Sequence, residues 1–185
     1  MAIAQARIAE EANRRTGTLD LSDLGLEELP EELFELRHLR VLDLGKSEPW
    51  NDFPPPNCID AQRERLGCLT SLKVLLVAGS DLTTLSPLQT LQYLQRLDCW
   101  NTAVSDLTPL AGLTALQQLH CSECRLRCLP HSIVSKPSLS QLVLYASHVP
   151  GVPSTGILSQ DHNENSDVCC QPSEQTDSPS ALCGD

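Results

Sequence analysis

The stretch that decides the architecture is Leu76–Ser122, LVAGSDLTTLSPLQTLQYLQRLDCWNTAVSDLTPLAGLTALQQLHCS. Within it Leu97 and Leu119 stand 119 − 97 = 22 residues apart, and each is followed two residues on by a small apolar side chain, Cys99 and Cys121. Backward from Leu97 the same position falls on Leu75, Leu42 and Leu19, and forward from Leu119 on Leu142; Val77, Leu44, Leu21 and Leu144 follow two residues later. The remaining intervals are 42 − 19 = 23, 75 − 42 = 33, 97 − 75 = 22 and 142 − 119 = 23, so one period governs the chain and one interval exceeds it by about ten residues. A self-similar period between about 20 and 29 residues describes a coil stacked on copies of itself, each too small to bury its own apolar side.

The chemistry of one coil follows from the alternation. A short strand points Leu97 and Cys99 inward and Asp98 and Trp100 outward, and Val104 and Leu107 carry the chain inward around a corner. Ser86-Pro87-Leu88 and Thr108-Pro109-Leu110 place a hydroxyl residue before a proline, as at the first position of a helical turn. Such short units leave little room for a full α-helix, so the return path is predicted to use 3₁₀ turns. At the bend after each strand stand Leu24, Ser47, Ser80, Thr102, Cys124 and Ser147; four of these are Ser or Thr, whose hydroxyls can satisfy backbone groups there.

The pattern LxxLxLxxxxL at this spacing resembles leucine-rich repeats over about residues 18 to 153. The central units are similar to the 22-residue internalin type, and the flanking 23-residue units, with Leu29-Pro30 and Leu129-Pro130, resemble the LPxxI/L variety with a slightly longer helical return. The resemblance implies an α/β solenoid of six coils, with parallel strands on the concave face and short helical or 3₁₀ turns on the convex face. The opening EEANRRTGTLDLSDLGLEELPEELFELRHLRVLDL also resembles the repeat region of bacterial signalling proteins of the Roco type, in which repeats precede a Ras-like GTPase. Pro150, Gly151, Pro153, Ser159, Gln160 and Asp161 are similar to the exit from such a region. After Asn165 the likeness stops, so the resemblance offers, as the alternative to a stand-alone binding module, a truncated or frame-shifted sensor region of a Roco-like protein without GTPase activity.

A solenoid exposes a core at each end. Ile3, Ala4, Ile8 and Ala12 lie at helical spacing, so residues 1 to 17 are predicted to form a capping helix ended by Gly17, with a frayed terminus as the alternative. The long interval is an insertion over about 46 to 67, carrying Trp50, Phe53 and Pro54-Pro55-Pro56. Two readings of it stand open: an interaction element, including self-association through the loop, or aromatics packed back on the solenoid. Residues 154 to 185 form an extension, and from about 166 its polar, turn-rich composition predicts disorder.

With 13 Lys+Arg against 24 Asp+Glu, the net charge of −11 argues against nucleic acid as partner. No apolar run is long enough to span a membrane. Arg7, Glu10 and Glu11 interrupt the start where an export signal needs an apolar stretch, and nine cysteines, mostly in leucine-rich stretches, fit a reducing compartment; a cytoplasmic location is expected.

Three stretches offer candidate chemistry. Gly45-Lys46-Ser47 ends like a phosphate-binding loop, but Arg40 stands where that loop needs its first glycine. Cys121, Cys124 and Cys128 with His120 and His131 offer zinc-type ligands, yet the register turns Cys121 and Cys124 inward and His120 outward, so no metal is expected and the cysteines serve as small core residues. His120 and Asp98 fall side by side with Ser122 two residues on, but an open sheet excludes little water, so no catalytic residues and no cofactor are assigned.

The concave face carries the candidate site. Read across the strands, one lane runs Asp20, Asp43, Leu76, Asp98, His120, Val143, and the next ends in Trp100, Ser122 and Tyr145. Six strands at roughly 4.8 Å spacing make a strip about 24 Å long, enough for a short helix, loop or extended peptide. Trp and Tyr are common interface anchors. The predicted function is noncatalytic recognition of a protein or peptide of basic or mixed charge through Trp100, Tyr145, His120, Asp98, Asn101, Glu123, Gln118, Asp43 and Asp20. The bland reading of the same strip is a polar face that keeps the solenoid soluble.

Overall fold

The computed structural model describes residues 1–48, 53–145 and 155–158, and of Tyr145 and residues 155–158 the backbone alone. Strands β1 (Thr18–Asp20), β2 (Val41–Asp43), β3 (Val74–Leu76), β4 (Arg96–Asp98), β5 (Gln118–His120) and β6 (Gln141–Tyr145) lie side by side in chain order, each pair parallel. The register sets Leu19, Leu42, Leu75, Leu97, Leu119 and Leu142 in one row, none more than 3% exposed. Leu21, Leu44, Val77, Cys99, Cys121 and Leu144 form a second buried row beside it.

The convex return is short, as the unit length requires. It consists of 3₁₀ turns at Glu31–Glu35, Asp60–Gln62, Ser86–Thr90 and Thr108–Leu110, and single α-turns α2 (Arg63–Leu66) and α3 (His131–Val134). Leu33, Leu66, Leu88, Leu110 and Ile133 face inward from these turns and close the core opposite the strands. Of the two LP units expected to have a slightly longer helical return, the last has the α-turn His131–Val134 against the three-residue Thr108–Leu110, while in the first Glu31–Glu35 is no longer than Ser86–Thr90. Their extra residue lies just before the turn, since Leu29 to Leu33 spans 33 − 29 = 4 where Leu85 to Leu88 spans 88 − 85 = 3, and Pro30 and Pro130 absorb it in extended conformation with ψ of 137° and 135°.

The bends show what satisfies the buried carbonyls. Ser80 Oγ donates to the Val77 carbonyl at 2.6 Å, Thr102 Oγ1 to that of Cys99 at 2.7 Å, and Cys124 Sγ to the same Cys99 carbonyl at 3.1 Å. In the second coil the expected residue, Ser47, is exposed and is bonded through its N–H and hydroxyl to Asp23 instead. Its place belongs to Asn57, which is 2% exposed; Nδ2 donates to the carbonyls of Leu44 and Leu21, both at 2.9 Å, while Oδ1 accepts the Leu26 N–H at 2.8 Å. One amide thus serves its own coil and also the first, where Leu24 has no polar atom to offer. The ten extra residues sit between β2 and Asn57, since 57 − 47 = 10, and Pro55 closes onto Gly25, where a Cβ would stand 3.0 Å from the proline ring. Phe53 is exposed; Trp50 lies outside the described residues.

Helix α1 (Ala2–Arg14) lies over the first coil and buries Ala4 and Ile8. Ile3 and Ala12, expected to face inward, are exposed, and Glu11 is buried in their stead. The helix also ends earlier than Gly17, through Arg15 in the left-handed conformation at φ 50°. Glu11 explains the difference: its carboxylate accepts the Thr16 hydroxyl at 2.5 Å, the Gly17 N–H at 2.7 Å and the Thr16 N–H at 3.2 Å, and lies 2.9 Å from His38 Nε2 on the first return path. Those bonds need the helix rotated to bring position 11 inside. Burial pushes the Glu11 carboxyl up, but the bonds from Thr16, Gly17 and His38 outweigh it and hold the group below the ordinary glutamate range.

At the other end β7 (Thr155–Leu158) pairs antiparallel with β6, from Leu142↔Leu158 to Tyr145↔Thr155. The sequence pattern contained no sign of this strand, because the period has ended by then. The rest of the extension, including the segment expected to be disordered, lies outside the described residues.

Two measurements test this framework. Replacing Asn57 by Ala strands buried backbone groups in two coils and is expected to cost about 3 kcal/mol in urea denaturation, against under about 1 kcal/mol for Ser47→Ala. Glu11→Gln is expected to lower the melting temperature at pH 7. Because the folded carboxyl binds its proton less readily than the unfolded one, that stabilisation is present above the ordinary glutamate range and is lost as pH falls through the lower folded value. Melts of parent and variant should therefore converge at acid pH; a constant gap would contradict the role given to the charge.

Candidate protein-interaction site

Strand pairing places the candidate lane in register, Asp20, Asp43, Leu76, Asp98, His120 and Val143, each residue opposite the next. The three aspartates share a backbone task. Oδ1 of Asp20 accepts the Ser22 N–H at 2.8 Å, Oδ1 of Asp43 that of Gly45 at 2.9 Å, and Oδ1 of Asp98 that of Trp100 at 3.2 Å. These side-chain turns fix how the chain leaves each strand and use one oxygen of each carboxylate; the second oxygen of Asp98 faces His120 Nδ1.

The electrostatic surroundings differ along the lane. At Asp20 burial raises the carboxyl, but the Ser22 hydroxyl and N–H and the charge of Arg7 outweigh it and hold it below the ordinary aspartate range. At Asp43 burial also pushes upward, the Gly45 N–H opposes it only in part, and the charges of Asp20, Asp23 and Asp98 push the same way as burial, so the group sits above that range.

His120 is held from two sides. Its Nδ1 is 3.3 Å from Asp98 Oδ2 and its Nε2 is 3.1 Å from Ser122 Oγ. An ionised carboxylate only accepts, so Nδ1 carries the hydrogen toward Asp98, and in the neutral ring Nε2 receives the Ser122 hydroxyl proton. Trp100 stacks on the imidazole, with planes 4° apart and centroids at 6.0 Å. Aspartate, imidazole and hydroxyl stand in the order of a nucleophilic triad. Ser122, however, is 1% exposed, not outward as its position in the pattern predicts, so its oxygen is out of reach of a substrate and the three groups serve to orient the ring.

The other predicted contacts fall around this platform. Gln118 is exposed on β5. Asn101 (φ 52°) and Glu123 (φ 54°) occupy the left-handed turn after the concave strand, the place Gly79 (φ 65°) and Asp23 (φ 56°) take in other coils. Asn101 is half-buried, and its N–H bonds the Ser122 carbonyl at 2.9 Å; Glu123 is exposed. Asp20 and Asp43 lie at the far end of the strip from Gln118 and His120. Tyr145 is on β6, and its side chain lies outside the description.

The metal and phosphate candidates do not converge. Cys99 and Cys121 are fully buried, and their thiols are pushed up, Cys99 chiefly by its hydrogen bond with Cys124 and Cys121 by burial. Cys124 is brought down to about 7, chiefly by that same bond with Cys99. His120 turns to the concave face while His131 is exposed on the convex α3, and among the described residues no three His, Cys, Asp or Glu side chains come together as a metal set. In Gly45-Lys46-Ser47 the Gly45 N–H is taken by Asp43 and the Lys46 N–H by the Ala78 carbonyl at 2.7 Å, so these amides cannot cradle a phosphate.

The chain has the leucine-rich-repeat fold, with parallel strands lining the concave side and short helical turns the convex side. It is similar in structure to a leucine-rich-repeat protein of Leptospira interrogans, at 25% identity and a TM-score of 0.60, covering 74% of this chain and 33% of that one. It is likewise similar to an internalin of Listeria monocytogenes, at 22% identity and a TM-score of 0.57, covering 76% of this chain and 38% of that one. The chain therefore spans between a third and two-fifths of the length of these structures. No family model and no curated protein matches it. These likenesses carry the fold; the residues behind the Roco resemblance at 150–153 and 159–161 lie outside the described residues.

The platform is expected to be rigid. Ser122→Ala should leave urea stability within about 1 kcal/mol yet release one side of the His120 ring, read as increased averaging of its imidazole NMR signals. Unchanged ring signals would show that Trp100 and Asp98 alone hold it.

Proposed function

We propose that this protein is a noncatalytic recognition module that binds another protein through its concave strip. The observation that carries the reading is the Trp100–His120 stack locked by Asp98 and Ser122: a flat aromatic surface on a rigid sheet, already ordered before a partner arrives. Pre-ordering lowers the entropy lost on binding, and tryptophan in such a position is a frequent interface anchor. The carboxylates along the lane favour a partner of basic or mixed charge. Trp100, His120, Asp98 and Gln118 form the centre of the proposed contact, Asn101 and Glu123 its rim, Asp43 and Asp20 its acidic end, and Tyr145 its extension onto β6. The proposed setting is the bacterial cytoplasm, in a signalling role.

The test uses the full chain as immobilised bait. Trp100→Ala should reduce captured partner at least ten-fold with an unchanged circular dichroism spectrum, whereas equal capture by variant and parent would defeat the assignment.

A further inference from the structure

The concave lane changes character at one coil. Leu76, half-buried on β3, stands between Asp43 and Asp98, each its direct register neighbour, and Val74 and Ala78 lie half-buried on either side of it along the strand. The core does not need a leucine there, because Leu75 and Val77 already fill the inward positions of this coil. The result is an aliphatic floor with a carboxylate at each end. Gly45 keeps it open toward β2, since a Cβ there would meet the Ala78 N at 3.1 Å and Asp43 Oδ1 at 3.4 Å.

The charges at this notch are unequally answered. Arg7 reaches Asp20 at 3.8 Å and His120 reaches Asp98, but Asp43 has no basic partner among the described residues, and its one hydrogen bond, from Gly45, uses a single oxygen. Arg96, exposed nearby on β4, forms no ion pair with either carboxylate among the described residues. Asp43 and Asp98 are two strand spacings apart, roughly 10 Å, which leaves room for one planar cation between them. A side chain that fits has an apolar stem for the floor and several donors at its head. Arginine has both, with five N–H groups in a fixed fork that can serve two carboxylates, while lysine presents a point charge.

We propose that this notch receives an arginine of the partner protein, its stem over Val74, Leu76 and Ala78 and its guanidinium shared between Asp43 and Asp98. The assignment rests on the concave reading above and names the chemistry of the partner.

Fluorescein-labelled hexa-arginine, hexa-lysine and hexa-citrulline, titrated into the full chain at physiological salt and followed by anisotropy, test it. Hexa-arginine should bind at least five-fold more tightly than hexa-lysine and far more tightly than hexa-citrulline. The double variant D43N/D98N keeps the Oδ1 acceptors for Gly45 and Trp100 and should weaken hexa-arginine at least ten-fold. E32Q/E35Q removes the same charge from exposed convex positions and should change binding less than two-fold. Equal losses in the two double variants, or lysine binding as well as arginine, would overturn the proposal. A captured partner lost with Trp100→Ala but held by D43N/D98N overturns the arginine assignment and leaves the concave reading standing; loss in neither variant removes both.

Discussion

A coil of some 22 residues has no interior of its own. It becomes a folded unit only when its inward side chains meet those of the coils before and after, and the column from Leu19 to Leu142 is that meeting in its simplest form. Everything else is arranged around this dependence. Strands β1 to β5 are three residues long because a single inward leucine flanked by outward residues is enough to hold the register. Returns are short because they need only bring one further apolar side chain, such as Leu88 or Leu110, to the opposite wall.

Stacking of this kind buries carbonyls at every bend, and each must find a donor. Ser80, Thr102 and Cys124 do so with their own side chains. Asn57 does it for two coils at once, which ties the insertion to the solenoid: the loop leaves from β2 and returns by placing an amide in the core. The ends obey the same demand. Glu11 gathers the donors of the turn after α1, and β7 occupies the open edge of β6.

Because the inner wall takes most of the apolar burial, the outward residues of the strands stay at or near the surface. Their roles are nevertheless mixed. The aspartates first stabilise strand exits and only then present charge, and Ser122 gives its hydroxyl to a ring instead of to chemistry. An arrangement with the connectivity of a triad is therefore a positioning device, with burial of the hydroxyl making the difference. Leu76 is the reverse case, an apolar residue in an acidic lane that adds nothing to the core and shapes the surface.

The inward column, the parallel order of the strands, the 3₁₀ returns and the pairing of Asp98 with His120 were all legible in the sequence, because a period of 22 or 23 residues forces equivalent positions side by side. Periodicity fails where a contact joins positions that are not equivalent. Asn57 in place of Ser47, Glu11 in place of Ala12, the sealed hydroxyl of Ser122, and β7 after the repeats end are all contacts of that sort, set by hydrogen-bond partners that the repeat does not make equivalent, whether two residues away or more than thirty. The repetition of leucine was sufficient to determine which side chains pile together, since burial of apolar surface has no direction; which polar atom reaches which buried group was decided only in three dimensions, since hydrogen bonds depend on distance and angle.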